Sequence, residues 1–201
     1  MKKKIAKLCA LFIIFAVGFS SLNGIAVAAN NQVSLTGDTS DEILNGALSN
    51  FTASSLSIIY IPDDYSTIQA AIDNASDGDT IIVRDGTYTE NIVVDKRLTI
   101  ESQNGSDFTL VQDQSPYDHV FNVTADYVNI SGFTIKGASY SSGVYLGSGI
   151  DHCNIIDNKV LYNEYGIYLY YSSNNTISHN IANSNKWYGI NLYYSNNNTV
   201  S

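Results

Sequence analysis

The 201-residue sequence predicts an all-β solenoid, a right-handed parallel β-helix with a short N-terminal capping α-helix. Three observations predict it. Ser142-Gly143-Val144-Tyr145-Leu146, Tyr165-Gly166-Ile167-Tyr168-Leu169 and Tyr188-Gly189-Ile190-Asn191-Leu192 recur at a step of 23. Cys153-Asn154-Ile155-Ile156, Asn174-Asn175-Thr176-Ile177 and Asn197-Asn198-Thr199-Val200 follow them at steps of 21 and 23. Between Thr80 and Ile130 the apolar residues come in short β-branched runs broken by turns such as Asp85-Gly86 and Asn104-Gly105. A period in this range marks a strand-and-turn unit that buries its apolar face only by stacking on neighbouring units.

Along the chain, Met1-Lys2-Lys3-Lys4, the uncharged run Leu8 to Phe19 and Ala26-Val27-Ala28 have the order of a secretory signal, assigned to residues 1–28. The apolar run is too short to span a bilayer, so no retained membrane span is expected. Residues 29–56, rich in Asn, Ser, Thr, Gly and Ala, read as a linker or loosely ordered arm. Residues 57–79 read as an N-terminal cap. Ile68, Ala71, Ile72 and Ala75 make one apolar stripe of a helix over 66–77, with Ser66 and Gln69 as a capping box and Gly78 as its C-terminal cap. Residues 80–201 are the rungs. A leucine-rich solenoid has a similar period, but Asn175-Thr176-Ile177-Ser178-His179-Asn180-Ile181 fills the part of its unit that should be helical or tightly turned. Ser201 falls in the middle of a rung, so the array reads as truncated at its C-terminus.

Within a rung, alternation points Ile167 and Leu169 inward and Tyr168 and Tyr170 outward. Asn154, Asn175 and Asn198 are expected to form one ladder of amides bonded to each other. Loss of residues 1–28 removes four lysines and leaves six basic against 19 acidic side chains, a net −13. Such a surface repels phosphate backbones and excludes nucleic acid as a partner. Cys153 is then the one remaining cysteine, so no internal disulfide supports the fold.

Tyr65-Ser66-Thr67-Ile68-Gln69-Ala70-Ala71-Ile72, Gly78-Asp79-Thr80-Ile81 and Gly86-Thr87-Tyr88-Thr89-Glu90-Asn91 resemble the amino-terminal cap and first rung of the NosD-like, carbohydrate-binding and sugar-hydrolase (CASH) β-helix repeat family. The resemblance covers about Ile61 to Ser201. It implies an extracellular, periplasmic or cell-surface β-helix module, structural or adhesive, with weak carbohydrate binding. It equally admits the front part of a polysaccharide lyase, hydrolase or epimerase, or a periplasmic accessory protein for copper enzyme maturation.

The residues themselves favour the module. Copper needs soft or imidazole ligands converging on one point, and His119, His152, His179 and Cys153 are not brought together by the repeat. His152 aligns with Ser173 of the next rung. Asp126, Asp151 and Asp157 fall at differing phases, which does not make a catalytic carboxylate pair. No catalytic residue, metal or cofactor is assigned, and no oligomeric state is read. Tyr145, Tyr168, Tyr170 and Tyr193 form the candidate carbohydrate-binding column, with mutual stacking as the competing structural role. Asn-x-Ser/Thr sequons stand at Asn50, Asn74, Asn104, Asn122, Asn129, Asn174 and Asn197 as candidate glycosylation sites.

Overall fold

The structure, a computed structural model, describes residues 56–201. The expected signal segment 1–28, nearly all of the 29–56 arm and the Asn50 sequon lie outside the described residues.

Strand β1 (Ile58–Ile61) leads into helix α1 (Ile68–Asn74). Rungs of three short strands follow: β2 (Thr80–Val83), β3 (Gly86–Thr89) and β4 (Ile92–Val94); β5 (Thr99–Ser102), β6 (Thr109–Gln112) and β7 (Phe121–Val123). Next come β8 (Asn129–Ser131), β9 (Thr134–Lys136) and β10 (Ser142–Leu146), then β11 (Asn154–Ile156), β12 (Lys159–Leu161) and β13 (Tyr165–Tyr170). The described chain ends with β14 (Thr176–Ser178), β15 (Tyr188–Tyr193) and β16 (Thr199–Val200). They stack into three sheets in the orders β1-β2-β5-β8-β11-β14-β16, β3-β6-β9-β12 and β4-β7-β10-β13-β15. The paired strands run parallel. The chain is therefore a parallel β-helix, and the segments that a leucine-rich unit would make helical are strands.

Like stacks on like. Ile59, Ile81, Ile100, Ile130, Ile155 and Ile177 form one column through the core in strict register, and Ile81 through Ile177 are shielded completely. Each such side chain contributes about 2 kcal/mol by leaving water. Val94, Val123, Leu146 and Leu169 form a second buried column. The rungs are less uniform than the late repeat suggests. Opposed residues are 30 apart between β5 and β8 and 25 apart between β8 and β11, against 22 and 23 later. The extra residues bulge outward between strands. One such segment is pinned by Asn91, whose Oδ1 accepts from Gln114 and Ser115 N–H and whose Nδ2 donates to the Ser115, Asp118 and His119 carbonyls.

Helix α1 is shorter than the expected 66–77 and is capped differently. Thr67, not Ser66, is the N-cap, its Oγ1 accepting from Ala70 N–H at 3.1 Å. Gln69 turns away to pair with the Val93 backbone, and Glu90 from the first rung accepts the Ile68 and Gln69 N–H groups at 3.0 Å each. At the other end Ala75 is the C-cap, and Lys96 donates to the Ile72, Asp73 and Ala75 carbonyls. Gly78 (φ 96) serves the following turn. A carboxylate at the amino end and an ammonium at the carboxyl end both complement the helix dipole. This short helix therefore borrows its caps from the strands on which it buries Ile68, Ala71 and Ile72.

The asparagine column also differs from expectation. Register places Asn154 opposite Thr176, so Asn154 stacks on Asn129 (Nδ2 to Oδ1, 2.6 Å) and Asn129 on Thr99. Cys153 stands opposite Asn175. Asn175 and Asn198 bond to backbone instead of to each other. Asn175 Oδ1 accepts Cys153 N–H and its Nδ2 donates to Ile150 O, while Asn198 repeats this toward Asn175 N–H and Ser172 O. Two further corners bond to backbone in the same way, and there the stacked amides also bond to each other, Asn158 Nδ2 to Asn180 Oδ1 at 3.2 Å and Asn163 Nδ2 to Asn185 Oδ1 at 3.3 Å. Asn158 and Asn180 serve Phe133 N–H, Ile130 O, Asn158 N–H and Ile155 O. Asn163 and Asn185 serve Ala138 N–H, Ile135 O, Asn163 N–H and Val160 O. A turning chain cannot continue the strand ladder, so its inward N–H and C=O groups need side-chain partners. Asparagine has both an acceptor and a donor for them.

The repeat glycines Gly143, Gly166 and Gly189 belong to this packing. An added Cβ on Gly166 would lie 2.3 Å from Gly189 O and 2.6 Å from Asn185 Nδ2, and one on Gly143 2.7 Å from Asn163 Nδ2. The glycines leave room for the amides.

Two outcomes are expected in urea unfolding of the full chain. Asn163→Leu strands buried backbone groups and lowers stability by about 3 kcal/mol. Gly166→Ala forces the corner apart and costs about 2 kcal/mol; unchanged midpoints in either variant would contradict the corner account.

Candidate functional site

The third sheet turns outward the feature the repeat advertised. Tyr145 and Tyr168 occupy one column, between Asn122 and Asn191, and Tyr170 and Tyr193 occupy the next. The Tyr170 and Tyr193 rings are parallel within 7°, with centroids 5.5 Å apart. Tyr168 meets Tyr145 and Tyr170 edge to face. All four predicted tyrosines are thus brought together on one face.

Four more tyrosines join them. Tyr171 and Tyr194 stack at 5.0 Å and 10°, edge-on to Tyr170 and Tyr193. Tyr165 stacks on Tyr188 and on Tyr168. Strand alternation assigns residues 165 and 171 the inward phase, which is why sequence reasoning missed them. Tyr171 and Tyr194 instead turn at positive φ (51° and 49°), which swings the ring outward. The step of 23 shared by both pairs was the available signal. His119 lies against Tyr145 at 4.2 Å and 7°, closing the paved area on the β7 side.

Chemically this face is a field of phenols. Burial raises the Tyr145 and Tyr168 hydroxyls above the usual tyrosine range, and neighbouring phenols add to it. They stay protonated and can both donate and accept. The faces of paired rings are largely spent on each other, so the surface offers ring edges and hydroxyls at the spacing of the rungs.

His119 Nδ1 accepts from the Ser141 hydroxyl at 2.8 Å and from Ser142 N–H at 3.1 Å, so the neutral ring carries its proton on Nε2. Burial lowers its pKa, with Asp118 opposing in part.

Asp126 and Asp151 share one column, not differing phases as the sequence suggested. Asp126 Oδ1 accepts Asp151 N–H, and Asp151 Oδ1 accepts Ser173 N–H. Asp157 sits at another corner with φ 58.

The residues present do not fit a copper site. Cys153 is buried with Sγ 3.6 Å from the Ala125 and Asp151 carbonyls, and burial pushes its thiol up to about 11, whereas a metal needs the thiolate. His152 lies in the register of Asn174, one residue on from Ser173, and stacks on Tyr127. His179 follows β14 at a different corner. Among the described residues no three His, Cys, Asp or Glu gather into a group able to hold a metal.

The sequons sort by environment. Asn129 is committed to the Thr99 and Asn154 ladder. Asn122 is half-buried on β7, Asn74 bonds back to Ala70 O and Asn104 to Asp85. Asn174 and Asn197 are exposed at a corner of positive φ shared with Tyr127 and His152.

Comparison with known proteins sets this geometry in context. The family described as Periplasmic copper-binding protein (NosD) matches residues 72–201. A cell surface glycoprotein of Methanothermus fervidus is 39% identical over 98 residues, which is 48% of this chain and 16% of that protein. The crystal structure of an alginate lyase from Paenibacillus sp. str. FPU-7 aligns with a TM-score of 0.54 and 22% identity, over 62% of this chain and 44% of the lyase. At that identity the lyase shares the fold alone. The chain spans less than half the length of either relative.

One test of the His119 geometry concerns pH. The unfolded histidine, near pKa 6.5, takes up a proton before the folded one does. Its contribution to stability is therefore complete above pH 6.5 and declines as pH falls from there toward the lower folded pKa. Urea midpoints of wild type should drop between pH 7.5 and 5 by more than those of His119→Gln; parallel decline would remove the claim.

Proposed function

The chain belongs to the NosD family, and we propose that it works as an extracellular β-helix module of the cell envelope that holds saccharide along its tyrosine-paved face. The observation that carries this reading is the contiguous outward field of eight tyrosines on β10, β13, β15 and their corners, with Tyr170 over Tyr193 and Tyr171 over Tyr194 at rung spacing. A polymer of hydroxylated rings can lie along such a field, taking hydrogen bonds from protonated phenols and packing on their edges.

Several features support a holding role over chemistry. Asp126 and Asp151 spend oxygens on backbone N–H groups, and the histidines are dispersed. The similarity to a cell surface glycoprotein supports an envelope location, as does the leader-like order of residues 1–28. Asn174 and Asn197, exposed at positive φ just before the corner amides Asn175 and Asn198, are the sequons that fit glycan attachment best.

The experiment is affinity electrophoresis of the full chain through gels containing a panel of polysaccharides. Wild type should be retarded by at least one, and Tyr170→Ala combined with Tyr193→Ala should weaken retention about tenfold, in keeping with two aromatic contacts. Free migration of wild type through every gel would remove the reading.

A further inference from the structure

We propose that the corner built by Glu164, Lys186 and Trp187 is a binding subsite for one neutral pyranose unit. The proposal rests on the saccharide-holding reading above, but uses residues outside the tyrosine columns.

The rungs of β13 and β15 run at equal length except here. Asn163 is separated from Gly166 by Glu164 and Tyr165, whereas Asn185 is separated from Gly189 by Lys186, Trp187 and Tyr188. Asn185 binds Asn163 N–H and Gly189 O crowds Gly166, so both ends of the segment are fixed in register. The extra residue must therefore leave the rung. It is Trp187, the one tryptophan in the chain, and it stands 60% exposed.

Its orientation is fixed. Trp187 Nε1 donates to Glu164 Oε1 at 2.9 Å, and its backbone N–H bonds Glu164 O. Lys186 Nζ lies 3.3 Å from the same Oε1 and near the Tyr140 and Trp187 rings, at 5.6 and 5.9 Å from their centroids. Tyr140 is held in turn by stacking on Tyr117 at 5.0 Å. An aromatic face locked in place binds without losing rotamer freedom.

Beside it opens a cleft of about 380 Å³ lined by Ser139, Tyr162, Asn163, Ser184, Asn185 and Lys186. It is an open depression, not an enclosed pocket. The amides of Asn163 and Asn185 are committed to backbone and to each other, so the cleft itself offers the hydroxyls of Ser139, Tyr162 and Ser184 and the Lys186 ammonium, with the Glu164 carboxylate bonded to that ammonium at its edge. An ammonium beside a carboxylate offers donors and acceptors together, as adjacent sugar hydroxyls require, while the indole face takes the apolar side of the ring. Charge selects the class. Glu164 already neutralises Lys186, and the chain carries net charge −9, so a uronate meets no unpaired cation here and a repelling field around it.

With one tryptophan in the chain, indole emission reports on this corner alone. Titrating the full chain with cellohexaose and maltohexaose should give a saturable emission change for at least one. Glu164→Ala should weaken it about tenfold, as expected for losing a charged hydrogen-bonding partner, and Lys186→Gln, on a half-exposed side chain, should weaken it likewise. Silence of the emission toward every neutral oligosaccharide, in a chain that polysaccharide gels still retard, overturns the subsite and leaves the tyrosine face standing. An equal response to hexagalacturonate overturns the neutral class. A saturable neutral response with no dependence on Tyr170 and Tyr193 in the gels upholds the subsite and removes the tyrosine face instead.

Discussion

A β-helix lives or fails at its corners. Along the strands each backbone N–H and C=O finds a partner in the rung above or below, but where the chain turns the inward groups lose that ladder. Leaving a buried group unpaired costs about 1–3 kcal/mol, several times per rung. Asn158, Asn163 and Asn175, each almost fully buried, meet that demand by taking an N–H and giving to a carbonyl one rung away. Because every bond spans one rung, it also fixes how one coil sits on the next. The strict isoleucine column and the stacked tyrosines share that registration.

Where apolar identity and polar identity pull differently, the core decides. Aligning Asn154 with Asn175 would keep asparagine over asparagine, but it would displace Ile155 from Ile177. Burial of Ile155 and Ile177 holds the register one residue along, so Cys153 takes the place opposite Asn175 and is itself buried there. The helix shows the same competition at shorter range. Ser66 and Gln69 make a sound local capping box, yet Gln69 has a better use on the Val93 backbone, and Glu90 reaches the helix N–H groups from the neighbouring rung.

The fold class and the central tyrosines were legible because both follow from a period and an alternation. Tyr165 and Tyr171 were not, because their outward direction depends on corners: a rung junction at Gly166 and a positive φ at Tyr171. Asn158 with Asn180 and Asn163 with Asn185 are 22 apart in the sequence, a visible spacing, but asparagine is so common in this half that spacing alone does not distinguish a buried bracket from a solvated turn. Inward or outward at a corner is set by backbone dihedrals that the residue name only weakly constrains.

Repetition also bears on what such a chain can do. Catalysis places different groups at one point, and a register that stacks Tyr170 on Tyr193 and Asp126 below Asp151 places the same group at many points. That arrangement suits an extended ligand which itself repeats, because each rung adds a contact without a new design. A position that discriminates one ligand from another has to come from a break in the period. In this chain the one-residue mismatch between Asn163 to Gly166 and Asn185 to Gly189 is such a break, and it forces outward the side chain with the largest aromatic face. On the saccharide-holding reading proposed above, the uniform columns would supply contact along the axis, and the irregular corner would supply the chemistry that distinguishes one sugar from the next.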